Sequence, residues 1–356
     1  MRDFISMKDF SREEIVEILD RTKEMKEMTQ PNLATDKIIA SLFFEPSTRT
    51  RLSFTSAAHR IGAQVLGFDS PDATSLKKGE SLRDTIMMTA AYSDLIVMRH
   101  NLDGAARFAG DLSGVPIVNA GDGANEHPSQ TMLDLYTIRE EKGRIDGLKV
   151  AFIGDLKYGR TVHSLTKALS LFDVELYFIA PHLIQLPKDI ENELKEKNIK
   201  YKLLSDFKEV LSELDVIYMT RIQRERFENL DEYEKVKGSY VLNRENILGK
   251  CKEDMIILHP LPRVNEIDVD LDNTKHALYF KQAANGIPVR ETIMAMALKK
   301  IEKKTQSKTK EITKSNEDVV CENLKCITHF EKTENKTVER NGKQFCYYCN
   351  REIKTI

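Results

Sequence analysis

The chain has 356 residues, 31% of them charged, and a formal net charge of −2. This near-neutral balance argues against a nucleic acid or a membrane surface as a partner, because both attract proteins that carry excess positive charge. No stretch reaches the roughly 18 apolar residues of a membrane span, and the first ten residues lack the apolar core of a signal peptide. We therefore expect a cytoplasmic protein.

Apolar runs and helical periodicities alternate along the chain. The first part predicts helices over 11–28, 80–92 and 129–141 and strands over 38–44, 63–68, 94–98 and 115–118. The second part predicts strands over 148–153, 174–179, 200–204, 216–219 and 255–258 and helices over 160–172, 188–197, 206–213 and 289–303. Such alternation is typical of parallel sheets with helices on both faces. The sequence thus predicts an α/β protein with two doubly wound parallel-sheet domains and an interdomain active site.

Residues 45–51 read Glu-Pro-Ser-Thr-Arg-Thr-Arg and lie where the first predicted strand turns into a helix. The free N–H groups and the positive dipole end of a helix N-terminus favour an anion. Two hydroxyls and two guanidiniums at the same turn indicate a phosphate site. Ordinary Ser/Thr capping beside solvated arginines is the alternative.

Further polar side chains follow other predicted strands, where open α/β sheets bind their ligands. They are a cationic loop over 75–80, Arg99, His127, Arg160, Arg221 and the segment 259–263. Each alone is compatible with a surface residue, and His127 alone with a capping histidine. Their repeated occurrence after strands favours one shared site.

Four of these motifs are similar to carbamoyltransferase motifs. Ser-Thr-Arg-Thr-Arg at 47–51 and His-Pro-Ser-Gln at 127–130 resemble the signature shared by all carbamoyltransferases. Arg-Ile-Gln at 221–223 and His-Pro-Leu-Pro-Arg at 259–263 resemble the aspartate-specific branch. Residues 1–303 therefore resemble an aspartate carbamoyltransferase catalytic chain. The resemblance implies carbamoyl transfer from carbamoyl phosphate to L-aspartate, which gives N-carbamoyl-L-aspartate and phosphate in pyrimidine synthesis.

The resemblance also implies roles for individual residues. Carbamoyl phosphate would contact Ser47, Thr48, Arg49, Thr50, Ser75, Lys78, Arg99, His127 and Gln130. Catalysis would fall to Arg49, Thr50, Lys78, Arg99 and His127, and aspartate binding to Lys78, Arg160, Arg221, Gln223, Pro260 and Leu261. The Leu261–Pro262 bond would be cis, and no organic cofactor is expected.

Within the family, the loop that corresponds to 75–80 reaches into the active site of a neighbouring subunit. This implies a homotrimer, or a multiple of trimers, with shared active sites. Lys77 and Lys78 are both candidates for the lysine of that loop, and we favour Lys78.

The resemblance divides the chain into four parts. A carbamoyl phosphate-binding domain would cover 1–140, with a return helix over 289–303, and an aspartate-binding domain would cover 141–288. Residues 304–318 are rich in Lys, Glu, Ser and Thr and predict a linker. Residues 319–356 would form a separate small domain.

That small domain holds a Cys-x4-Cys and a Cys-x2-Cys motif, formed by Cys321, Cys326, Cys346 and Cys349. Four thiolates at this spacing predict one structural zinc ion per chain, and a segment of this size needs such a staple to fold. Two disulfides are the alternative, which a cytoplasmic setting disfavours.

The segment is also similar to the zinc domain of the aspartate carbamoyltransferase regulatory chain, including Cys-Ile-Thr-His at 326–329. The nucleotide-binding domain that precedes it in that family has no counterpart here. We therefore expect a natural fusion with no response to CTP or ATP arising within this chain. A nucleic-acid-binding zinc ribbon is the alternative for this segment.

Three other functions compete with the leading interpretation. An ornithine-specific enzyme is disfavoured because the His-Cys-Leu-Pro and Asp-x-x-x-Ser-Met-Gly patterns of that branch do not occur. A nicotinamide dehydrogenase would use the strand-glycine-helix unit at 148–172, but Gly154 and Gly159 do not make a Gly-x-Gly-x-x-Gly fingerprint. A non-enzymatic scaffold is disfavoured because every expected catalytic position is filled.

Overall fold

The structure is a computed structural model that describes residues 3–28, 30–70, 74–222, 224, 227, 229–306, 308, 311–315 and 319–353. For Ser75 and Leu76 only the backbone is described. The chain divides into two units: residues 1–129 with 286–356 form unit 1, and residues 130–285 form unit 2.

The main sheet of unit 1 has four parallel strands. They are β1 (Ile38–Phe43), β2 (Gln64–Phe68), β3 (Leu95–His100) and β4 (Ile117–Asp122), in the spatial order β2-β1-β3-β4. The alternating helices are α1 (Arg12–Glu27), α2 (Thr48–Arg60), α3 (Leu82–Tyr92) and α4 (Ala105–Leu112). β3 and β4 are buried along their whole length, as expected where helices cover both faces of a parallel sheet.

Unit 2 contains a second parallel sheet, of five strands. They are β5 (Lys149–Ile153), β6 (Glu175–Ile179), β7 (Lys200–Leu204), β8 (Val216–Met219) and β9 (Ile256–Leu258), in the order β7-β6-β5-β8-β9. The remaining helices are α5 (Pro128–Lys142), α6 (Arg160–Leu169), α7 (Lys188–Glu196), α8 (Leu230–Val236), α9 (Arg244–Ile247) and α10 (Tyr279–Ala297). Unit boundaries fall within α5 and α10. The predicted α/β class with two parallel sheets is confirmed.

A small antiparallel sheet lies in the C-terminal segment and belongs to unit 1. Its strands are β10 (Thr313–Ser315), β11 (Lys336–Arg340), β12 (Lys343–Cys346) and β13 (Glu352–Ile353), in sequential order. Cys346 is the last residue of β12, and Cys321, Cys326 and Cys349 lie in the connections between the strands. Among the described residues no helix combines the length and the apolarity that a bilayer crossing requires.

Several elements differ from the sequence predictions. The helix predicted over 206–213 is a pair of short 3-10 turns, Phe207–Glu209 and Leu211–Glu213. The helix predicted over 289–303 begins ten residues earlier, at Tyr279, and contains Pro288 in its interior. It ends at Ala297 because Lys299 adopts a φ of 58°, outside the right-handed helical region.

The segment predicted as a linker makes specific contacts with α1. Glu17, which is 7% exposed, accepts from the backbone N–H of Lys304 at 2.5 Å and of Thr305 at 2.9 Å. Glu14, 3% exposed, accepts from the backbone N–H of Lys308 at 3.1 Å. Buried carboxylates need hydrogen-bond donors, so these contacts tie the segment to the helix.

Candidate active site

The strand orders locate a switch point in each parallel sheet. In unit 1, the chain leaves β1 toward β2 on one side and β3 lies on the other; in unit 2, β5 has β6 on one side and β8 on the other. Ligands of open α/β sheets bind beyond the carboxyl ends of the strands at such points. Segment 45–51 follows β1, and Arg99 lies near the end of the neighbouring strand β3, where it pairs with Phe43 of β1. Arg160 and Arg221 follow β5 and β8.

The N-terminus of α2 forms the first part of the site in unit 1. Ser47 occupies the N-cap, but its side chain makes no cap hydrogen bond, and the first turn, all of it described, contains no acidic residue. Thr48 and Arg49 are exposed, whereas Thr50 is buried. A helix N-terminus whose N-cap hydroxyl is not used for capping can offer that hydroxyl and its N–H groups to an anion. The capping alternative is therefore disfavoured.

Arg99 is held in place by unit 1. It is the fifth residue of β3, not a residue beyond the strand as expected, and it is 7% exposed. One guanidinium nitrogen lies 2.8 Å from Glu45 Oε2, and another donates to the carbonyl of Ala120 at 3.2 Å. The strand continues to His100 because the arginine finds these partners in the interior.

His127 lies directly before α5 and is 5% exposed, as predicted for a residue at a helix N-terminus. The loop that leads to it is organised by Asp122. This carboxylate accepts from Asn119 Nδ2 at 2.9 Å, from the N–H of Gly104 at 2.8 Å and from Asn125 Nδ2 at 3.0 Å. The 119–127 segment is thus fixed at the end of β4.

The cationic loop forms a 3-10 turn over Ser75–Lys78 in unit 1. Lys77 and Lys78 are both exposed. The side chain of Ser75 lies outside the described part of the chain. The structure does not distinguish between the two lysines, so the choice of Lys78 stays a prediction.

In unit 2, the backbone just after the carboxyl end of β5 lies in direct contact with the backbone just after the carboxyl end of β8. Gly154 has a φ of 116°, and a Cβ on it would lie 2.2 Å from the carbonyl oxygen of Thr220. Thr220 in turn donates its N–H to the carbonyl of Ile153 at 2.8 Å. Since Arg160 is the first residue of α6 and Arg221 follows Thr220, this junction sets both half-buried arginines at the same sheet edge. Gln223 lies outside the described residues.

The loop after β9 is anchored by His259. Its Nδ1 accepts from the N–H of Leu261 at 2.8 Å, and its Nε2 lies 2.8 Å from Glu266 Oε1. Burial lowers the pKa of His259, against the opposing effect of Glu266, and a neutral ring satisfies both contacts. Pro260 and Leu261 are half-buried, and the predicted cis Leu261–Pro262 bond is confirmed.

Gln130, in the first turn of α5, donates to Asp134 Oδ1 at 2.8 Å. Asp134 is fully buried and also accepts from Tyr218 and Gln282. Burial, with Asp134 beside it, raises the pKa of Tyr218 well above its ordinary value. The sequence reasoning missed Asp134, although its spacing of four residues from Gln130 on a helix is a contact signal. It also missed Glu45, although this residue belongs to the segment 45–51 singled out from the sequence.

The four C-terminal cysteines converge, as predicted. Their sulfur atoms all lie within 4.8 Å of one another and are buried. Cys321 and Cys349 Sγ are 3.5 Å apart, and Cys326 and Cys346 Sγ are 3.8 Å apart. Disulfide sulfurs would be about 2.05 Å apart, whereas thiolates around a tetrahedral zinc with bonds of about 2.3 Å are separated by about 3.8 Å. The donor set therefore fits zinc. His329 instead bonds the carbonyl of Cys321 at 2.7 Å.

The cysteine segment packs on the parallel-sheet part of unit 1. Asp103 accepts from Asn323 Nδ2 at 2.8 Å, and its backbone N–H and carbonyl bond the carbonyl of Lys325 and the N–H of Ile327. A Cβ on Gly104 would lie 2.7 Å from the backbone of Tyr348. Ile327, the cysteines and Tyr348 share one apolar cluster with α4. The segment therefore docks on its own chain.

Comparison with known proteins decides the family. Residues 2–140 match the aspartate/ornithine carbamoyltransferase carbamoyl-P binding domain, and residues 146–297 match the Asp/Orn binding domain of the same family. The chain belongs to the aspartate/ornithine carbamoyltransferase family. The predicted resemblance to the aspartate branch is confirmed by the relatives that follow.

The relatives are of two lengths. The aspartate carbamoyltransferase catalytic subunit of Brachyspira hyodysenteriae is 57% identical over 99% of both chains, so the match includes the cysteine segment. The solved catalytic subunit of aspartate transcarbamoylase from M. jannaschii is 54% identical, with a TM-score of 0.79 over 84% of this chain and 98% of that one. The Trypanosoma cruzi aspartate transcarbamoylase in complex with N-(phosphonacetyl)-L-aspartic acid is 37% identical, with a TM-score of 0.78 over 83% of this chain and 95% of that one.

Proposed function

We propose that this chain is an aspartate carbamoyltransferase that joins carbamoyl phosphate and L-aspartate for pyrimidine synthesis. The observation that carries the proposal is the first switch point. A helix N-terminus with an uncommitted N-cap serine lies there beside a buried arginine. Family membership and the names of relatives more than 50% identical support the same reaction.

Carbamoyl phosphate would bind to unit 1. The Ser47, Thr48, Arg49 and Thr50 turn would hold the phosphate, and Ser75 and Lys78 would complete its contacts. Arg99 and His127, with Thr50, would donate to the carbonyl oxygen, where negative charge grows when the amine attacks. Removing one such donor typically costs about 100–1000-fold in rate. Because Glu45 and Ala120 fix the Arg99 guanidinium, it would enter the reaction already oriented.

L-Aspartate would bind mainly to unit 2. Arg160 and Arg221 would each take one carboxylate through a forked pair of hydrogen bonds, with Gln223 and Lys78 assisting. Gln130 and the backbone of Pro260 and Leu261 would bind the carbamoyl amino group. The two guanidiniums would repel the cationic side chain of ornithine, so charge would favour L-aspartate over ornithine as the amine that accepts the carbamoyl group.

The cysteine cluster would hold one structural zinc ion, since four thiolates close a tetrahedral shell and leave no position for substrate. The ion would stabilise the C-terminal segment and thus its packing on α4. Zinc thiolates belong in a reducing compartment, so we also propose that the enzyme acts in the cytoplasm. Its domains would be those expected from the sequence, with boundaries near 140, 288 and 318.

The family resemblance implies a homotrimer or a multiple of it, and exposed apolar side chains in unit 1 are consistent with a subunit interface. Met87 and Met88 on α3 are 51% and 49% exposed, Tyr92 is 58% exposed, and Leu66 projects from the edge strand β2. Large apolar side chains that are exposed on neighbouring elements of the chain are consistent with a subunit interface. The Lys78 loop joins β2 to α3 and would reach a neighbour's site from there.

Two assays test these proposals. The purified protein should form N-carbamoyl-L-aspartate from carbamoyl phosphate and aspartate, and no citrulline when ornithine replaces aspartate; citrulline as the main product would refute the assignment. Mixing the inactive Lys78→Ala and His127→Ala variants under subunit exchange should restore part of the activity. Two variants that stay inactive after verified exchange would contradict shared sites.

A further inference from the structure

Asp134 lies at the centre of the polar interior of unit 2. It is 0% exposed on α5, one turn after Gln130. Its Oδ1 accepts from Gln130 Nε2 at 2.8 Å and from Gln282 Nε2 at 2.6 Å, and its Oδ2 accepts from the Tyr218 hydroxyl at 2.9 Å. Donors thus approach both oxygens, as an ionised carboxylate requires in the interior.

These contacts leave one orientation for each glutamine amide. Gln282 Oε1 accepts from the backbone N–H of His259 at 2.8 Å. A backbone N–H can only donate, so Gln282 must turn its Nε2 toward Asp134. A carboxylate only accepts, so Gln130 must also direct its Nε2 to Asp134. Its Oε1 is then the amide atom that Gln130 can offer to a ligand N–H.

The Asp134 carboxylate is also connected to the loop after β9 through a chain of hydrogen bonds. Gln282 connects Asp134 to the backbone of His259, whose Nδ1 holds the N–H of Leu261. Asp134 therefore influences two separate groups proposed above to bind the carbamoyl amino group: Gln130 and the backbone at Pro260 and Leu261.

We propose that Asp134 is a positioning residue that makes the carbamoyl site select an amino group over a methyl group. It does so by forcing Gln130 to present a carbonyl oxygen, and by fixing the loop after β9 through Gln282. A carbamoyl NH2 donates to such acceptors, whereas a methyl group of the same size leaves them buried and unpaired, a penalty that gives strong discrimination. This inference rests on the proposed function.

A matched pair of stable ligands tests it. Phosphonoacetamide and acetonylphosphonate differ only in NH2 against CH3, and isothermal titration calorimetry gives the Kd of each. We expect the wild-type protein to prefer phosphonoacetamide by about 10-fold or more. In Asp134→Leu neither glutamine NH2 group has this acceptor, so Gln130 is no longer held in one orientation. The preference should fall to about threefold or less, while the Kd for inorganic phosphate changes less than about twofold.

Tyr218→Phe is the matched control, because it removes a hydrogen bond from the other oxygen of Asp134. It should lower stability and keep the wild-type ligand preference, and Asp134→Glu should restore part of that preference. An undiminished preference in folded Asp134→Leu, or an equal loss in Tyr218→Phe, would overturn the inference. If Asp134→Leu does not fold, Gln130→Met decides: a preference at the wild-type level there also refutes it. A wild-type protein that binds neither phosphonate would instead refute the proposed function.

Discussion

Asp103 joins the cysteine segment to the loop before His127, so its removal gives a sharp test of that connection. Its Oδ2 accepts from Asn323 in the cysteine segment, and its Oδ1 accepts from the N–H of Ala124 at 2.8 Å. The residue is 2% exposed. Asp103→Ala leaves both donors without this acceptor, whereas the backbone hydrogen bonds to Lys325 and Ile327 can persist.

The size of the effect follows from those two lost bonds. Leaving a buried donor without an acceptor costs about 1–3 kcal/mol. Ala124 and Asn323 are only partly buried, so the lower end of that range, about 1–1.5 kcal/mol, applies to each. The total is about 2–3 kcal/mol, which corresponds to a factor of about 30–150 in the equilibrium for local opening of the segment.

The assay is release of zinc from zinc-loaded protein into a chromogenic chelator. Asp103→Ala should release the metal about 30–150-fold faster than the wild type when opening limits access. Asp111→Asn is the control, since Asp111 bonds Lys336 and Tyr347 at the solvent-exposed rim of the same contact. Surface pairs contribute about 0–1 kcal/mol, so its effect should stay below about fivefold. If Asp103→Ala released zinc at the wild-type rate, or if Asp111→Asn accelerated the release equally, the proposed role of Asp103 would be refuted.

Three further predictions concern the site and its support. Glu45→Gln weakens the hold on Arg99, and steady-state kinetics should show a rise of about 10-fold or more in the KM for carbamoyl phosphate. Arg221→Lys keeps the charge but loses the guanidinium fork, so the KM for aspartate should rise about 10–100-fold with carbamoyl phosphate binding unchanged. Burial lowers the pKa of His100 to about 4, below the unfolded value of about 6.5. The unfolded state therefore takes up the proton first, and this stability, about 3 kcal/mol, is complete above pH 6.5 and lost as pH falls to 4. His100→Asn, which can still accept from Leu102, should abolish that part of the pH dependence in urea unfolding.

Each of these predictions has a result that contradicts it. Unchanged carbamoyl phosphate kinetics in Glu45→Gln would show that Arg99 needs no carboxylate to hold it. Wild-type aspartate KM in Arg221→Lys would remove the forked contact from the account. A difference in unfolding free energy between wild type and His100→Asn that stays constant from pH 7 to pH 4 would mean that the imidazole is not buried in its neutral form.

The sequence was most informative where local pattern alone determines structure. Alternating apolar runs gave the two parallel sheets, and four cysteines at fixed spacing gave the cluster that the structure shows. Turn-and-helix chemistry placed Ser47 at an N-cap and His127 before a helix. Each of these features depends on residues that lie within a short segment of the chain, so the local sequence is enough to predict it.

Features that depend on distant partners could not be predicted in the same way. Arg99 remains inside β3 because Glu45 lies beside it, and a lone arginine after apolar residues reads as a strand end. Pro288 lies within α10, although proline usually marks a helix start. Asp134 became recognisable only when its three donors, from α5, β8 and α10, appeared together.

The proposed function requires that the turn over 45–51 in unit 1 and the arginines of unit 2 act on one pair of substrates. Isothermal titration calorimetry with N-(phosphonacetyl)-L-aspartate tests it most directly, since this ligand joins mimics of both substrates. We expect one site per chain, with affinity at least about 100-fold above that for phosphonoacetamide, and a loss of most of that gain in Arg221→Lys. Binding no tighter than that of phosphonoacetamide would contradict it.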